Sequence, residues 1–308
     1  MHAIIHIFVP LLVVAATLAG CTGLRLGYQQ ADIILAWRAN SYFDLDRDQR
    51  RDFSARLDRL LAWHRTEQLP EYATFLTTAI DKAEHGLKVD DVAWFAEGFR
   101  SRYRIVANRG AADAADLLAT LRTEQIVSLQ KQFVTDNRKF AEEHELDAGI
   151  EKQKRARLKR MLKQIDEWAG NLSDHQEKKI AALLAPIPLI EHLRHQDRMR
   201  RQREFIELLN TRHAKADFAS NVRHFLVEWD AGRSPEYSRV SEQVYHERLA
   251  FYVAVDKLLT REQRQHALAR LQKYAEDCKA LSAQRAAAGD GADVMAAILA
   301  LFASAEDA

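Results

Sequence analysis

The chain has 308 residues, 47% of them apolar and 29% charged, a composition that fits a folded globular protein and excludes a disordered one. Its 45 basic and 44 acidic residues leave a net charge of +1, so no global field draws it to nucleic acid or anionic lipid.

Residues 3–19 are almost wholly apolar and end in small side chains. About 20 apolar residues are needed to cross a bilayer, so the run is marginal for a span and suits a cleaved signal peptide. It leads into Leu18-Ala19-Gly20-Cys21, which resembles the lipobox of bacterial lipoproteins. The resemblance implies a diacylglycerol on the Cys21 sulfur and cleavage before that residue, with 1–20 as signal peptide. The reaction needs a thiol nucleophile with small residues before it, and Ala19 and Gly20 supply them. Lipoproteins retained at the inner membrane often carry Asp after the cysteine. Thr22 therefore points to the outer membrane, facing the periplasm. Before the apolar run stand only Met1 and His2, without Lys or Arg. Either translation starts upstream, or the amino terminus and His2 supply the usual positive charge.

The rest reads as all-α, about ten amphipathic helices in a bundle with short loops. Phe53, Leu57, Leu60 and Leu61 form one apolar stripe at helical spacing; Leu158, Met161, Leu162, Ile165, Trp168 and Leu172 form another. Leu268, Leu271, Tyr274, Cys278 and Leu281 form a third. A helix-start signal recurs in Leu45-Asp46-Arg47-Asp48-Gln49, Leu172-Ser173-Asp174-His175-Gln176 and Leu259-Thr260-Arg261-Glu262-Gln263. Each is a capping box: the cap oxygen takes an orphan N–H and Gln reaches back to the cap. Leu121-Arg122-Thr123-Glu124-Gln125 is a fourth copy with Arg122 in the cap slot. Unequal spacing makes these reused punctuation and not a solenoid period. Pro70 is expected to begin a helix, residues 185–188 to form a hinge, and Ser234-Pro235 to open a helix. The expected organisation is a helical domain over 21–288 and a short C-terminal segment over 289–308.

Several stretches carry a family resemblance: Leu24-Arg25-Leu26-Gly27-Tyr28, Tyr42-Phe43-Asp44-Leu45, Trp63-His64-Arg65 and Leu69-Pro70-Glu71-Tyr72, then Phe133–Phe140 and Leu258–Asp277. Together they resemble an uncharacterised family of Gram-negative lipoproteins known as a domain of unknown function. It implies a helical envelope lipoprotein and no activity. Leu259-Thr260-Arg261-Glu262-Gln263 also matches the Leu-Thr-x-x-Gln motif of small periplasmic stress and chaperone proteins, which capping explains without shared function.

Candidate chemistry is sparse. Asp44, Asp46, Asp48 and Asp52 alternate like a calcium loop, but Gln49 and Ala55 stand where Gly and Glu are required. Glu142, Glu143, His144, Glu145 and Asp147 form an acidic knot, and His192 and His195 stand beside Glu191; neither has zinc-site spacing. Cys278, on an apolar stripe, reads as an inert buried thiol. Basic stretches at 152–163 and 194–203 could meet anionic lipid or an acidic partner, with exposed, ion-paired faces the plainer expectation. Trp37, Trp63, Trp94, Trp168 and Trp229 are expected in the core. The expectation is a non-catalytic lipoprotein without metal or cofactor, held to a membrane by lipid on Cys21. It would meet an envelope protein partner and no nucleic acid. A chaperone-like module and an envelope enzyme without a recognisable motif are the alternatives.

Overall fold

A computed structural model describes residues 23–213 and 217–283. The expected signal peptide, Cys21, Thr22 and the segment 289–308 lie outside the described residues. Among the described residues all regular structure is helical, as the apolar spacing predicts.

The helices are α1 (Gly23–Gln29), α2 (Ala31–Phe43), α3 (Arg47–Trp63), α4 (Leu69–Ala83), α5 (Val89–Ala119) and α6 (Thr123–Glu143). They continue as α7 (Ile150–Ala169), α8 (Asp174–Leu184), α9 (Glu191–Asn210), α10 (Phe218–Val227), α11 (Pro235–Leu258) and α12 (Arg261–Ala283). Between α3 and α4 the chain does not break. Residues His64–Gln68 form a π turn that carries one helix into the next. Pro70 sits in the first turn of α4 as expected, but its missing N–H is absorbed by this wider turn and not by a loop.

Among the described residues three apolar clusters hold the bundle. The first joins α2, α5, α6, α9 and α10 around Leu45, Leu121, Leu129, Leu209 and Val222. The second joins α7, α8 and α11 around Ile180, Val244 and Phe251. The third joins α1, α4 and α12 through Tyr28, Leu69, Tyr72, Cys278 and Leu281. Two of the expected stripes are thus inner faces, with Met161 and Ile165 in the second cluster and Cys278 and Leu281 in the third.

The segment 185–188 is clamped by Arg157. Its guanidinium donates to the carbonyls of Leu184 (3.0 Å), Ile187 (2.7 Å) and Pro188 (3.1 Å). A basic residue read as surface charge is therefore a buried tie, 5% exposed.

Where α4 meets α5, Gly98 lies against the Phe75 ring, which also contacts Trp94, Phe95 and Phe99. A Cβ at 98 would overlap that ring. Gly98→Ala is expected to destabilise the fold by about 1–3 kcal/mol in thermal unfolding, even though alanine favours helix. An unchanged or raised melting temperature would contradict this packing.

Candidate functional site

One residue, Thr22, stands between Cys21 and the start of α1 at Gly23. Arg25 of α1 forms an ion pair with Asp277 of α12 at 2.7 Å, and Asp277 is 1% exposed. Burial raises the Asp277 carboxyl above its usual range, against the pull of Lys273 and Arg25. One turn on, Tyr28 enters a buried aromatic chamber. Its hydroxyl is hydrogen-bonded to His64 Nδ1 (2.9 Å), and His64 Nε2 to the Tyr72 hydroxyl (3.2 Å). The π turn is what presents His64 to both. Burial pushes its imidazole down to about 4, so it is neutral between the two tyrosines. Cys278 lies in the same cluster, and burial pushes its thiol up to about 12. That thiol stays protonated and is no nucleophile.

The four recurring motifs come together in two pairs. In each, the Gln side-chain oxygen accepts the N–H of its cap residue: Asp46 (3.1 Å), Arg122 (2.8 Å), Ser173 (3.0 Å) and Thr260 (2.9 Å). Each amide nitrogen then crosses to another loop. Gln49 donates to the Thr120 carbonyl (3.0 Å), and Gln125 to those of Phe43 (3.0 Å) and Asp44 (2.9 Å). Gln125 also donates to the Gln49 oxygen (2.7 Å). The second pair repeats this plan: Gln176 donates to Leu258 (2.9 Å) and Gln263 to Asn171 (2.8 Å). Gln176 also donates to the Gln263 oxygen (2.6 Å). Each clasp thus fastens two helix starts that are distant in sequence. Sequence spacing disclosed the boxes but not their pairing. The clasps are architectural: their polar atoms are spent on backbone and on each other.

Between α2, α3, α5 and α6 lies a cavity of about 110 Å³, walled by Leu35, Phe53, Leu57, Leu117, Leu129 and Phe133. That size suits a small apolar guest. At its edge Arg56 binds Asp52 (2.8 Å), Asp113 (2.8 Å) and Asp116 (2.9 Å).

The other candidates are dispersed. Asp46 caps α3, Asp48 pairs with Arg51 and Asp52 with Arg56, which spends the calcium-like acids on the helix itself. In the acidic knot Glu142 pairs with Arg138 and Glu145 with Lys152. His144 and His195 both lie against Phe140, with ring centroids 4.3 and 5.6 Å away. Among the described residues no group of three or more His, Cys, Asp or Glu is placed to hold a metal ion. No helix among them is long and apolar enough to cross a membrane. Two expectations are corrected. Within the basic stretches, Arg157, Arg198 and Arg201 are buried; Arg198 binds Asn137 (2.8 Å) and Arg201 the Phe225 carbonyl (2.9 Å). Of the tryptophans, Trp229 is buried but Trp37 is 62% exposed, because it stands on the outer face of α2.

Residues 41–238 match the profile of a family of unknown function, DUF6279. No curated protein and no solved structure matches the chain.

Proposed function

The chain belongs to the family of unknown function DUF6279, and since that membership brings no activity with it, we propose from the residues themselves that this is a lipid-anchored, non-catalytic envelope protein. It sits at the periplasmic face of the outer membrane and works through contacts with another envelope protein. The observation that carries this reading is the position of Cys21. It ends a lipobox-like run, and one residue later the chain enters a helix clamped to the body through Arg25–Asp277 and Tyr28–His64. An acyl anchor on Cys21 would hold the helical body close against the bilayer. Two or more inserted chains make such anchoring stable, at about 0.8 kcal/mol per buried methylene.

The test is Cys21→Ser in the full-length chain, expressed in a Gram-negative host. Labelling with radioactive palmitate is expected to vanish, and the protein to leave the membrane fraction. Undiminished labelling would sink the anchor assignment. Reproducible crosslinks from the wild-type chain to one envelope protein, lost when the anchor is lost, support action through contacts at the membrane.

A further inference from the structure

We infer that the cavity between α2, α3, α5 and α6 is a binding site for an uncharged alkyl chain, entered through the seam between α3 and α5. Its inner wall is buried hydrocarbon: Leu35 and Ala39 of α2, Leu129 and Phe133 of α6. Tyr42 also lines it, but its hydroxyl donates to Asp136, which is not part of the wall. A buried water needs two to four polar partners, and this inner wall offers methyl and ring carbons in their place. The seam is different. Phe53, Arg56 and Leu60 of α3 and Gly110, Asp113 and Ala114 of α5 line it at helical spacing, and all six are half-buried. Gly110 and Ala114 keep α5 low along this line: a Cβ at 110 would meet Leu60 only at 3.6 Å.

The mouth is polar and reaches solvent. Arg56 crosses from α3 to Asp113 (2.8 Å) and Asp116 (2.9 Å) of α5, and Arg59 adds a second bond to Asp113 (3.0 Å). The Arg56 side chain is 21% exposed and that of Asp113 36%. With Asp52, which also pairs with Arg56, this cluster sets three carboxylates against two guanidinium groups. The excess of negative charge repels an anionic headgroup, whereas a hydroxyl can bond to the same groups without adding charge. Apolar depth beneath a few polar groups suits an amphiphile. An apolar cavity of about 150 Å³ takes benzene. One of about 110 Å³ takes a thinner guest, the last few carbons of an unbranched chain, whose polar end then lies at the Arg56 mouth. Such a chain exists both as a free alcohol and as the tail of a monoacylglycerol. The site needs nothing from Cys21, so its test and that of the anchor fail independently.

The experiment photolabels the full-length chain in phosphatidylcholine vesicles with a six-carbon alcohol carrying an alkyl diazirine, and reads the labelled peptides by mass spectrometry. Saturable labelling is expected in the segments of α3 and α5 that line the cavity. One arm competes with n-hexanol, the other with a long-chain monoacylglycerol. Competition is expected in at least one arm, and which arm competes identifies the source. Hexanoate at the same concentration and neutral pH is expected to compete more weakly, because the mouth repels its charge. Ala114→Leu fills the cavity and is expected to weaken the saturable labelling about tenfold, the affinity carried by roughly two buried methylenes. Gly110→Ala, which fills less and favours helix, is the second variant should Ala114→Leu fail to fold, with a smaller loss expected. Labelling spread evenly over the chain, or competed in neither arm, overturns the site, as does a folded variant labelled like wild type. Hexanoate competing as well as the alcohol overturns the assignment to an uncharged chain.

Discussion

Gln125→Leu is expected to cost about 3–5 kcal/mol in urea unfolding, a large part of the stability of an ordinary domain. Leucine nearly matches glutamine in volume, so the loss reports polar bonding and not a cavity. Gln125 is 2% exposed. Its removal strands the Arg122 N–H, the carbonyls of Phe43 and Asp44, and one bond of the Gln49 amide. Each such buried orphan costs about 1–3 kcal/mol, less whatever water can reach. The partner substitution Gln49→Leu should cost less on its own, since Gln49 is 7% exposed and Asp46 still caps α3. The two together should cost less than their sum by about 1–2 kcal/mol, because the clasp is lost once. Strict additivity would mean that the glutamines act as separate caps and that their mutual bonds are incidental.

The contrast between the boxes and the clasps marks what the sequence makes legible. A capping box is a four-residue device, so Asp46-Gln49 and Ser173-Gln176 can be read without knowing any neighbour. The clasp depends on which starts meet, and Gln49 and Gln125 are separated by most of α3, α4 and α5. The same limit governs the arginines. Charge on α7 is visible, but the burial of Arg157 is set by carbonyls at 184–188, where Pro186 and Pro188 interrupt the helix pattern and leave acceptors open. Trp37 fails for a related reason: an amphipathic count assigns an aromatic to a core, yet the inner face of α2 is filled by Leu35, Ala39 and Tyr42. The π turn is the least legible feature. Nothing local distinguishes His64–Gln68 from ordinary helix except Pro70 just beyond it, and the turn is what aims His64 inward.

That histidine carries a pH dependence whose sign follows from its burial. With its folded pKa pushed down to about 4 from an ordinary 6.5, His64 is neutral in both states above pH 6.5. As pH falls below 6.5 the unfolded chain takes a proton that the folded one refuses, so stability drops until about pH 4 and then levels. The full loss is about 3 kcal/mol, of which about 2 kcal/mol should appear between pH 6.5 and 5. His144, also pushed down to about 4, acts in the same window. The carboxylates held low, Asp46 and Asp91, lose their contributions only at more acid pH. Urea midpoints measured from pH 7.5 to 5 in wild type and His64→Gln separate these. Glutamine retains a hydrogen bond to a tyrosine without a titrating ring, so the variant should be weaker at pH 7.5 yet fall less steeply towards pH 5. If its slope equals that of wild type, His64 is protonated in the folded chain. Tyr28 and Tyr72 would then both have to accept from the ring, and the chamber that ties α1 to α4 would hold a buried cation.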